Sequence, residues 1–272
     1  MTKHIVITGS TRGIGYGLAD AFLQRSCQVT ISGRSQESVT AAVATLAEKH
    51  DADMVFGQAG DVADLEQVQR LWDATSAHFG AIDIWINNAG IAQDMQPLWD
   101  VPPRRVQAIV DANVVGVVFG SQVAVRGMIE QGHGQIYNME GAGSDGKVRD
   151  GLGVYQASKA AVRSLNKSLI AETKELPIII GSLSPGMVLT DMLIEPYEND
   201  PERQEELRRI FNILADRVET VAPWLADQIL QNKKTGVKIQ WLTTPKIIWR
   251  FASAPFSKRD LFDDQAPEPT VS

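Results

Sequence analysis

The chain has 272 residues, 44% hydrophobic and 22% charged, an ordinary globular composition that leaves apolar mass for a sizeable core and excludes disordered or collagen-like chains. Twenty-six Lys+Arg against 33 Asp+Glu leave a formal charge of −7, which repels polyphosphate and speaks against general nucleic-acid binding. One cysteine, Cys27, excludes an intrachain disulfide and a Cys-rich zinc site, and its place before an apolar strand reads as a small buried hydrophobe.

In chain order, short β-branched runs at 5–8, 28–32, 53–58, 82–87, 135–139, 178–182 and 237–242 predict seven strands. Between them, segments such as 37–50 and 65–79 space their apolar residues three and four apart, as in Val39, Val43 and Leu46 or Leu65, Val68, Leu71 and Trp72. Alternating strand and helix predicts a parallel sheet covered on both faces. The most apolar stretch, 109–125, is interrupted by Asp111, Asn113, Ser121 and Gln122, and so falls short of the ~18 uninterrupted apolar residues of a spanning helix. No linker or repeat divides the chain, so residues 1–262 are expected to form a single domain. Two stretches break the alternation: about 187–220, read as a substrate lid, and 263–272, read as a disordered tail.

The first strand runs into Thr8-Gly9-Ser10-Thr11-Arg12-Gly13-Ile14-Gly15, which opens a helix through Leu18, Ala19 and Phe22. Glycines at such a turn permit close approach of backbone to a pyrophosphate, and the free N–H groups of the new helix bind the anion. This placement predicts a single-domain α/β fold of the Rossmann, doubly wound kind, with a seven-stranded, mostly parallel sheet and helices on both faces. At the end of the second strand an acid would bond a ribose 2′-OH, whereas arginine pairs with a 2′-phosphate. Here the strand ends Ser32-Gly33-Arg34-Ser35, and Arg12 adds a second cation in the glycine loop, so NADPH (NADP+) is the expected cofactor. Tyr155 and Lys159 lie four apart in a helical stretch and share one face. A phenol beside an ammonium can shuttle a proton, because the positive charge favours the phenolate.

Thr8 to Gly15, Asn87-Asn88-Ala89-Gly90, Asn113, the Tyr155/Lys159 pair and Pro185-Gly186 through Thr190 together resemble a short-chain dehydrogenase/reductase over residues 3–245. The resemblance implies that Asp61 and Val62 border the adenine and that Asn88, Ala89 and Gly90 line the cofactor. It further implies that Asn113 helps hold a relay water, that Lys159 binds the nicotinamide ribose, and that Val188 and Thr190 contact the carboxamide. It also implies a homodimer or homotetramer. The family places a serine at the end of the fifth strand to hold the substrate carbonyl; this chain reads Glu140-Gly141-Ala142-Gly143-Ser144 there. Ser144 either folds back to supply the missing donor or caps a turn.

The run 138–144, then 184–190, then Leu242-Thr243-Thr244-Pro245 and Phe262-Asp263-Asp264-Gln265 are similar, in order, to motifs of chlorophyll b reductases. That resemblance implies NADPH-dependent reduction of the C7 formyl group of chlorophyll b or chlorophyllide b, with Tyr155, Lys159, Asn113 and Ser144 as the catalytic set. Reduction of another hydrophobic aldehyde or ketone, and a non-catalytic NADP(H)-binding sensor, are the alternatives. A lid rich in Met187, Val188, Leu189, Met192, Leu193, Ile194, Tyr197, Ile210, Phe211, Ile213 and Leu214 suits a large flat substrate or its own core. The amino terminus leaves no room for a secretory leader, so the chain is expected in the cytoplasm if bacterial, or in the plastid if it is a processed plant or algal chain. His4, His50, His78 and His133 are isolated and expected as surface or loop residues, with no metal site. The aromatic and basic stretch 241–259 predicts a final strand and helix on the sheet or a second subunit, with peripheral membrane contact as the alternative.

Overall fold

The structure is a computed structural model that describes residues 2–194, 201–256 and 259–262, with backbone alone for 201–206. The expected tail at 263–272 and Tyr197 of the expected lid lie outside the described residues. The chain runs β1 (His4–Ile7), α1 (Gly13–Leu23), β2 (Gln28–Gly33), α2 (Gln36–Ala47), β3 (Val55–Ala59), α3 (Leu65–Phe79) and β4 (Ile84–Asn87). It continues with α4 (Pro103–Val110), a π-helical turn (Asp111–Val115), α5 (Gly116–Gln131), β5 (Gly134–Met139), α6 (Gly153–Glu172) and β6 (Ile178–Ser184). The last part holds β7 (Met187–Leu189), α7 (Asp191–Ile194), α8 (Pro201–Leu214), β8 (Ala215–Arg217), α9 (Val218–Gln231), β9 (Lys238–Gln240) and α10 (Thr244–Ser253).

Seven strands form one sheet in the order β3-β2-β1-β4-β5-β6-β9, and every pair in it is parallel. The expected "mostly parallel" sheet is thus parallel throughout. The chain winds outward from β1 in one direction and from β4 in the other, so the connections leaving these two neighbours diverge and open a crevice at their carboxyl ends. Pleating sends alternate side chains to opposite faces. Ile5 and Ile7 join Leu18 and Phe22 of α1, Leu46 of α2 and Leu225 of α9 on one face. Val6 joins Leu71 and Trp72 of α3 with Val123 and Met128 of α5 on the other. Each such side chain contributes about 1.5–3 kcal/mol by leaving water.

The stretch Pro103–Gln131 is, among the described residues, the helix long and apolar enough to cross a membrane by length and composition. Here its Val123, Ala124 and Met128 pack against the sheet as a core helix does. The break expected at 187–220 contains regular structure: β7 and β8 pair as a second, two-stranded parallel sheet. Strands of three residues are too short to show a period. His4 departs from expectation. It is 1% exposed, with Nε2 3.2 Å from Thr30 Oγ1 and its ring edge-on to Phe79, because it occupies the first position of a central strand.

A chain of buried amides fixes α6 on the sheet. Trp85 Nε1 donates to Asn87 Oδ1 (2.8 Å), Asn87 Nδ2 to Asn138 Oδ1 (2.7 Å), Asn138 Nδ2 to Asn166 Oδ1 (2.7 Å) and Asn166 Nδ2 to the Gly181 carbonyl (3.1 Å). Every member is satisfied, which is the condition under which a buried polar network specifies one arrangement.

Candidate active site

The glycine loop after β1 has the shape of an anion cradle. Gly9 and Gly13 take φ of +63° and +59°, and a Cβ on Gly9 would stand 2.7 Å from Ala89 Cα. Asn88 Nδ2 donates to the Thr8 and Gly9 carbonyls at 2.9 Å each, while the amides of Asn88 and Ala89 donate to Thr8 Oγ1 at 3.1 Å. Ser10 is committed inside the protein: its hydroxyl donates to the Ile7 carbonyl (2.6 Å) and accepts from Ser32 N (3.0 Å). The methyl of Thr11 fills the space that a side chain at Gly33 would need, and Ile14 packs on the core. Helix α1 begins here with no side-chain cap and no acid in its first turn, leaving its N–H groups to an anion.

These residues fit a dinucleotide. At the end of β2, Arg34 and Ser35 are exposed, and Ser35 caps α2 by accepting from Ser38 N. Arg12 is exposed and pairs with Asp191 at 3.2 Å, which ties the loop to α7. The Asp61 carboxylate accepts from Ala63 N (2.9 Å), and Val62 packs where Gly116 lacks a side chain. After β6, Pro185 and Gly186 (φ +79°) turn the chain into β7, where Val188 is buried. The Thr190 methyl lies 3.5 Å from the Cβ position of Gly13, so the segment after β6 meets the glycine turn.

Tyr155 and Lys159 occupy the first turns of α6. The opening amides of that helix, Val154 N and Tyr155 N, donate to Oε1 of the fully buried Gln93 at 2.9 and 3.0 Å. Gln93 carries no sequence signal, because the loop that delivers it is remote in the chain. Lys159 is 4% exposed; its Nζ lies 5.8 Å from the Tyr155 ring centroid and donates to the Met139 carbonyl at 3.3 Å. Asn113 sits within the π-helical turn, a feature that recurs at functional sites. It is fully buried: Oδ1 accepts from Ile91 N (2.8 Å), and Nδ2 donates to the Ile91 carbonyl and Ser158 Oγ, both at 3.0 Å. The Cβ position of Gly90 is 3.0 Å from Asn113 Oδ1 and 3.6 Å from Lys159 Nζ, so the three residues converge.

Of the two expected roles for Ser144, the turn is the one seen: its hydroxyl donates to Glu140 Oε2 at 3.0 Å, and its backbone N closes a turn onto the Gly141 carbonyl at 3.1 Å. The residue beside the Tyr155 hydroxyl is Gly141, whose Cβ would lie 2.6 Å from it. The three small residues 141–143 carry Ser144 back onto Glu140.

Burial pushes the Tyr155 phenol up to about 12, with Arg149 pulling the other way. Burial draws the Lys159 ammonium down to about 8, opposed by the Glu140 carboxylate. Burial also works against the charge of Glu140, but Lys238, Ser182 and Ser144 outweigh it and hold the carboxyl below its usual range. The site therefore presents a protonated phenol at neutral pH beside a cation and a cradle for a dinucleotide. Among the described residues, no group of three or more His, Cys, Asp or Glu side chains is placed to hold a metal ion.

A short chain dehydrogenase family profile matches residues 3–201. The chain is 33% identical over 279 residues to a probable chlorophyll(ide) b reductase, NYC1, chloroplastic, of Oryza sativa subsp. japonica, covering 97% of this chain and 54% of that protein. It is 36% identical over 231 residues to the chlorophyll(ide) b reductase NOL, chloroplastic, of Arabidopsis thaliana, covering 83% of this chain and 65% of that protein. The chain thus spans about half to two thirds of the length of these relatives. A crystal structure of a gluconate 5-dehydrogenase from Burkholderia cenocepacia J2315 in complex with NADP and tartrate superposes with a TM-score of 0.74 at 30% identity, covering 88% of this chain and 93% of that one. With a family match over most of its length, and with the glycine turn after β1 and the Tyr155/Lys159 pair on α6 in place, the chain belongs to the short-chain dehydrogenase family.

Proposed function

We propose that this enzyme uses NADPH to reduce the C7 formyl group of chlorophyll b or chlorophyllide b to the 7-hydroxymethyl group. The observation that carries the reading is Gly141 directly against the Tyr155 hydroxyl, within the 138–144 run that resembles chlorophyll b reductases and holds Glu140, Gly141 or Ala142 where the family has its serine. It leaves the flank of the phenol without a side chain, which suits a carbonyl attached to a broad, flat ring. The names of the plant relatives support the same substrate, and the exposed Arg34 and Arg12 beside an acid-free β2 end support NADPH over NADH.

Bound NADPH would supply the hydride. Tyr155 donates its proton to the substrate oxygen, and its high pKa keeps that proton in place until negative charge develops on the oxygen. Lys159 offsets the charge left on the phenolate and, by resemblance, holds the nicotinamide ribose. Asn113 fixes the Ile91 backbone and Ser158 relative to one another and so sets α6 against the π-helical turn. Gly9 to Gly15 with Asn88, Ala89 and Gly90 hold the dinucleotide, Asp61 and Val62 border its adenine, and Pro185 to Thr190 border the nicotinamide. The segment about 187–220 covers the substrate. Phe211 and Leu214 of this lid are buried in cores, whereas Met192 and Ile210 keep exposed apolar surface. The homo-oligomer implied by resemblance is supported by the exposed Ile248 and Trp249 of α10 and the nearby Phe256, and light scattering tests it.

The test is incubation of purified protein with NADPH and chlorophyll b or chlorophyllide b, following the pigment spectrum and identifying the product. Conversion to the 7-hydroxymethyl pigment, reduced about 10²–10⁴-fold by Tyr155→Phe, is expected. NADPH binding without conversion of either pigment would overturn the substrate and move it to another hydrophobic carbonyl. NADPH binding without reduction of any carbonyl would favour the non-catalytic sensor.

A further inference from the structure

The cluster around Glu140 is not accounted for by the proton relay or by the dinucleotide cradle. Glu140 is 4% exposed, and its backbone N donates to the Leu183 carbonyl at 2.8 Å. Its Oε2 accepts from Lys238 Nζ of β9 at 2.6 Å and from Ser144 Oγ at 3.0 Å. Removing a carboxylate from water costs several kcal/mol unless partners compensate, so a buried acid at this point needs a reason. The residue before it, Met139, gives its carbonyl to Lys159 Nζ, and the residue after it, Gly141, faces the Tyr155 hydroxyl. The far end of the loop is held as well: Arg163 of α6 donates to the Ser144 carbonyl at 3.1 Å.

We propose that Glu140 is a positioning residue that, pinned by Lys238 and Ser144, fixes the loop 139–144 and supplies the negative charge that keeps Lys159 an ammonium beside Tyr155. The inference rests on the proposed proton transfer from Tyr155 but not on the identity of the substrate. Lys238 of β9 contacts the carboxylate, and Lys159 of α6, held on the neighbouring Met139 carbonyl, lies within reach of its charge, with Arg163 of α6 near the end of the loop and Ser182 of β6 and Ser144 as neutral donors. Lys238 keeps 30% of its side chain in water, so solvent stabilises its charge directly. Lys159 is buried, and burial disfavours its charged form, so it depends on Glu140.

A loop pin and an electrostatic partner predict opposite responses to two substitutions. Glu140→Gln removes the charge that favours the Lys159 ammonium, whereas Lys238→Met loosens the same loop but removes a charge that opposes it. The experiment follows the Lys159 side-chain carbon resonance against pH in the cofactor-free full chain, assigned by its loss in Lys159→Arg. The wild-type midpoint is expected near 8. Glu140→Gln is expected to lower the midpoint by about one pH unit, a tenfold change in the proton equilibrium, and Lys238→Met to raise it. The alkaline limb of kcat for NADPH-dependent chlorophyll b reduction is expected to move with it.

Midpoints that stay fixed, or move together in both variants while the melting temperature falls, would overturn the proposal and leave Glu140 a structural pin. If Glu140→Gln does not fold, Glu140→Asp keeps the charge at shorter reach and is expected to give a smaller downward shift; no shift there overturns the proposal too. Opposite midpoint shifts without turnover of chlorophyll b would support the role of Glu140 and remove the pigment as substrate.

Discussion

Gly141 and Tyr155 are in a contact that only glycine permits: a Cβ at position 141 would lie 2.6 Å from the Tyr155 hydroxyl oxygen and 3.1 Å from Lys159 Cγ. Real Cβ atoms do not approach other atoms so closely, so any side chain here displaces the phenol. Gly141→Ala is therefore expected to lower kcat about 10²-fold, the scale of a misplacement of about an ångström in a reacting group. Gly141→Ser is expected to do no better, although it adds a hydroxyl beside the phenol. Steady-state kinetics alongside a melting curve decides it: wild-type kcat in Gly141→Ser would mean that the loop yields and the phenol does not.

The proposed preference for NADPH rests on Arg34 and Arg12. Both are exposed, and Arg12 already pairs with Asp191 in a contact whose partners are 69% and 66% exposed, a class of ion pair worth about 0–1 kcal/mol and easily exchanged for a phosphate. A charged hydrogen bond to a 2′-phosphate contributes about 1.5–3 kcal/mol. Arg34→Ala is expected to weaken NADPH binding about ten- to hundredfold while leaving NADH binding within twofold, read by fluorescence titration of both cofactors. Equal losses for the two would place Arg34 away from the phosphate.

Much of the frame could be read from local pattern. The seven strands of the main sheet, the glycine loop and the four-residue spacing of Tyr155 and Lys159 are short-range features, and periodicity or spacing exposes them. What escaped depends on distance in the chain. Glu140 and Lys238 are 98 positions apart, and only the β6–β9 pairing brings them together. Gln93 caps α6 from a loop 61 and 62 positions away. Ser144 was legible as a hydroxyl near the tyrosine but not in its direction, because three small residues allow the loop to close either way. His4 looked like a terminal surface residue until β2 and β4 enclosed β1.

Asp216 of β8 holds Trp241, Arg250 and Arg259 to the small sheet. It is 3% exposed and accepts from Arg250 (2.9 Å), Arg259 (2.6 Å) and Trp241 Nε1 (2.6 Å). The Arg250 side chain is itself only 11% exposed, so Asp216→Asn removes the counter-ion of a buried guanidinium. Breaking a buried pair in this way costs about 3–5 kcal/mol. Urea denaturation is expected to show that loss, with Trp241 fluorescence changing before global unfolding as the α10 segment releases. An unchanged midpoint would show that water enters and solvates the arginines.

His4 gives the acid limb of stability a defined slope. Burial draws its ring down to about 4, with the Ala81 backbone and Asp83 acting in the opposite direction. The unfolded chain takes up this proton near pH 6.5, the folded one only near 4, so protonation favours unfolding between these values. The contribution of His4 to stability is complete above about pH 6.5, falls as the pH drops, and levels off below 4. Its total is about 3 kcal/mol from the linkage of a proton bound in one state and excluded from the other. Carboxylates titrate over the lower part of the same window, so the informative quantity is the difference between wild type and His4→Gln, which keeps a partner for Thr30 and cannot titrate. Urea unfolding at pH 7.5, 6 and 5 is expected to show wild type losing stability relative to the variant at each step. A difference that stays constant across the three values would mean that the ring takes up its proton equally in the folded and unfolded chains, and that β1 opens to water at its first residue.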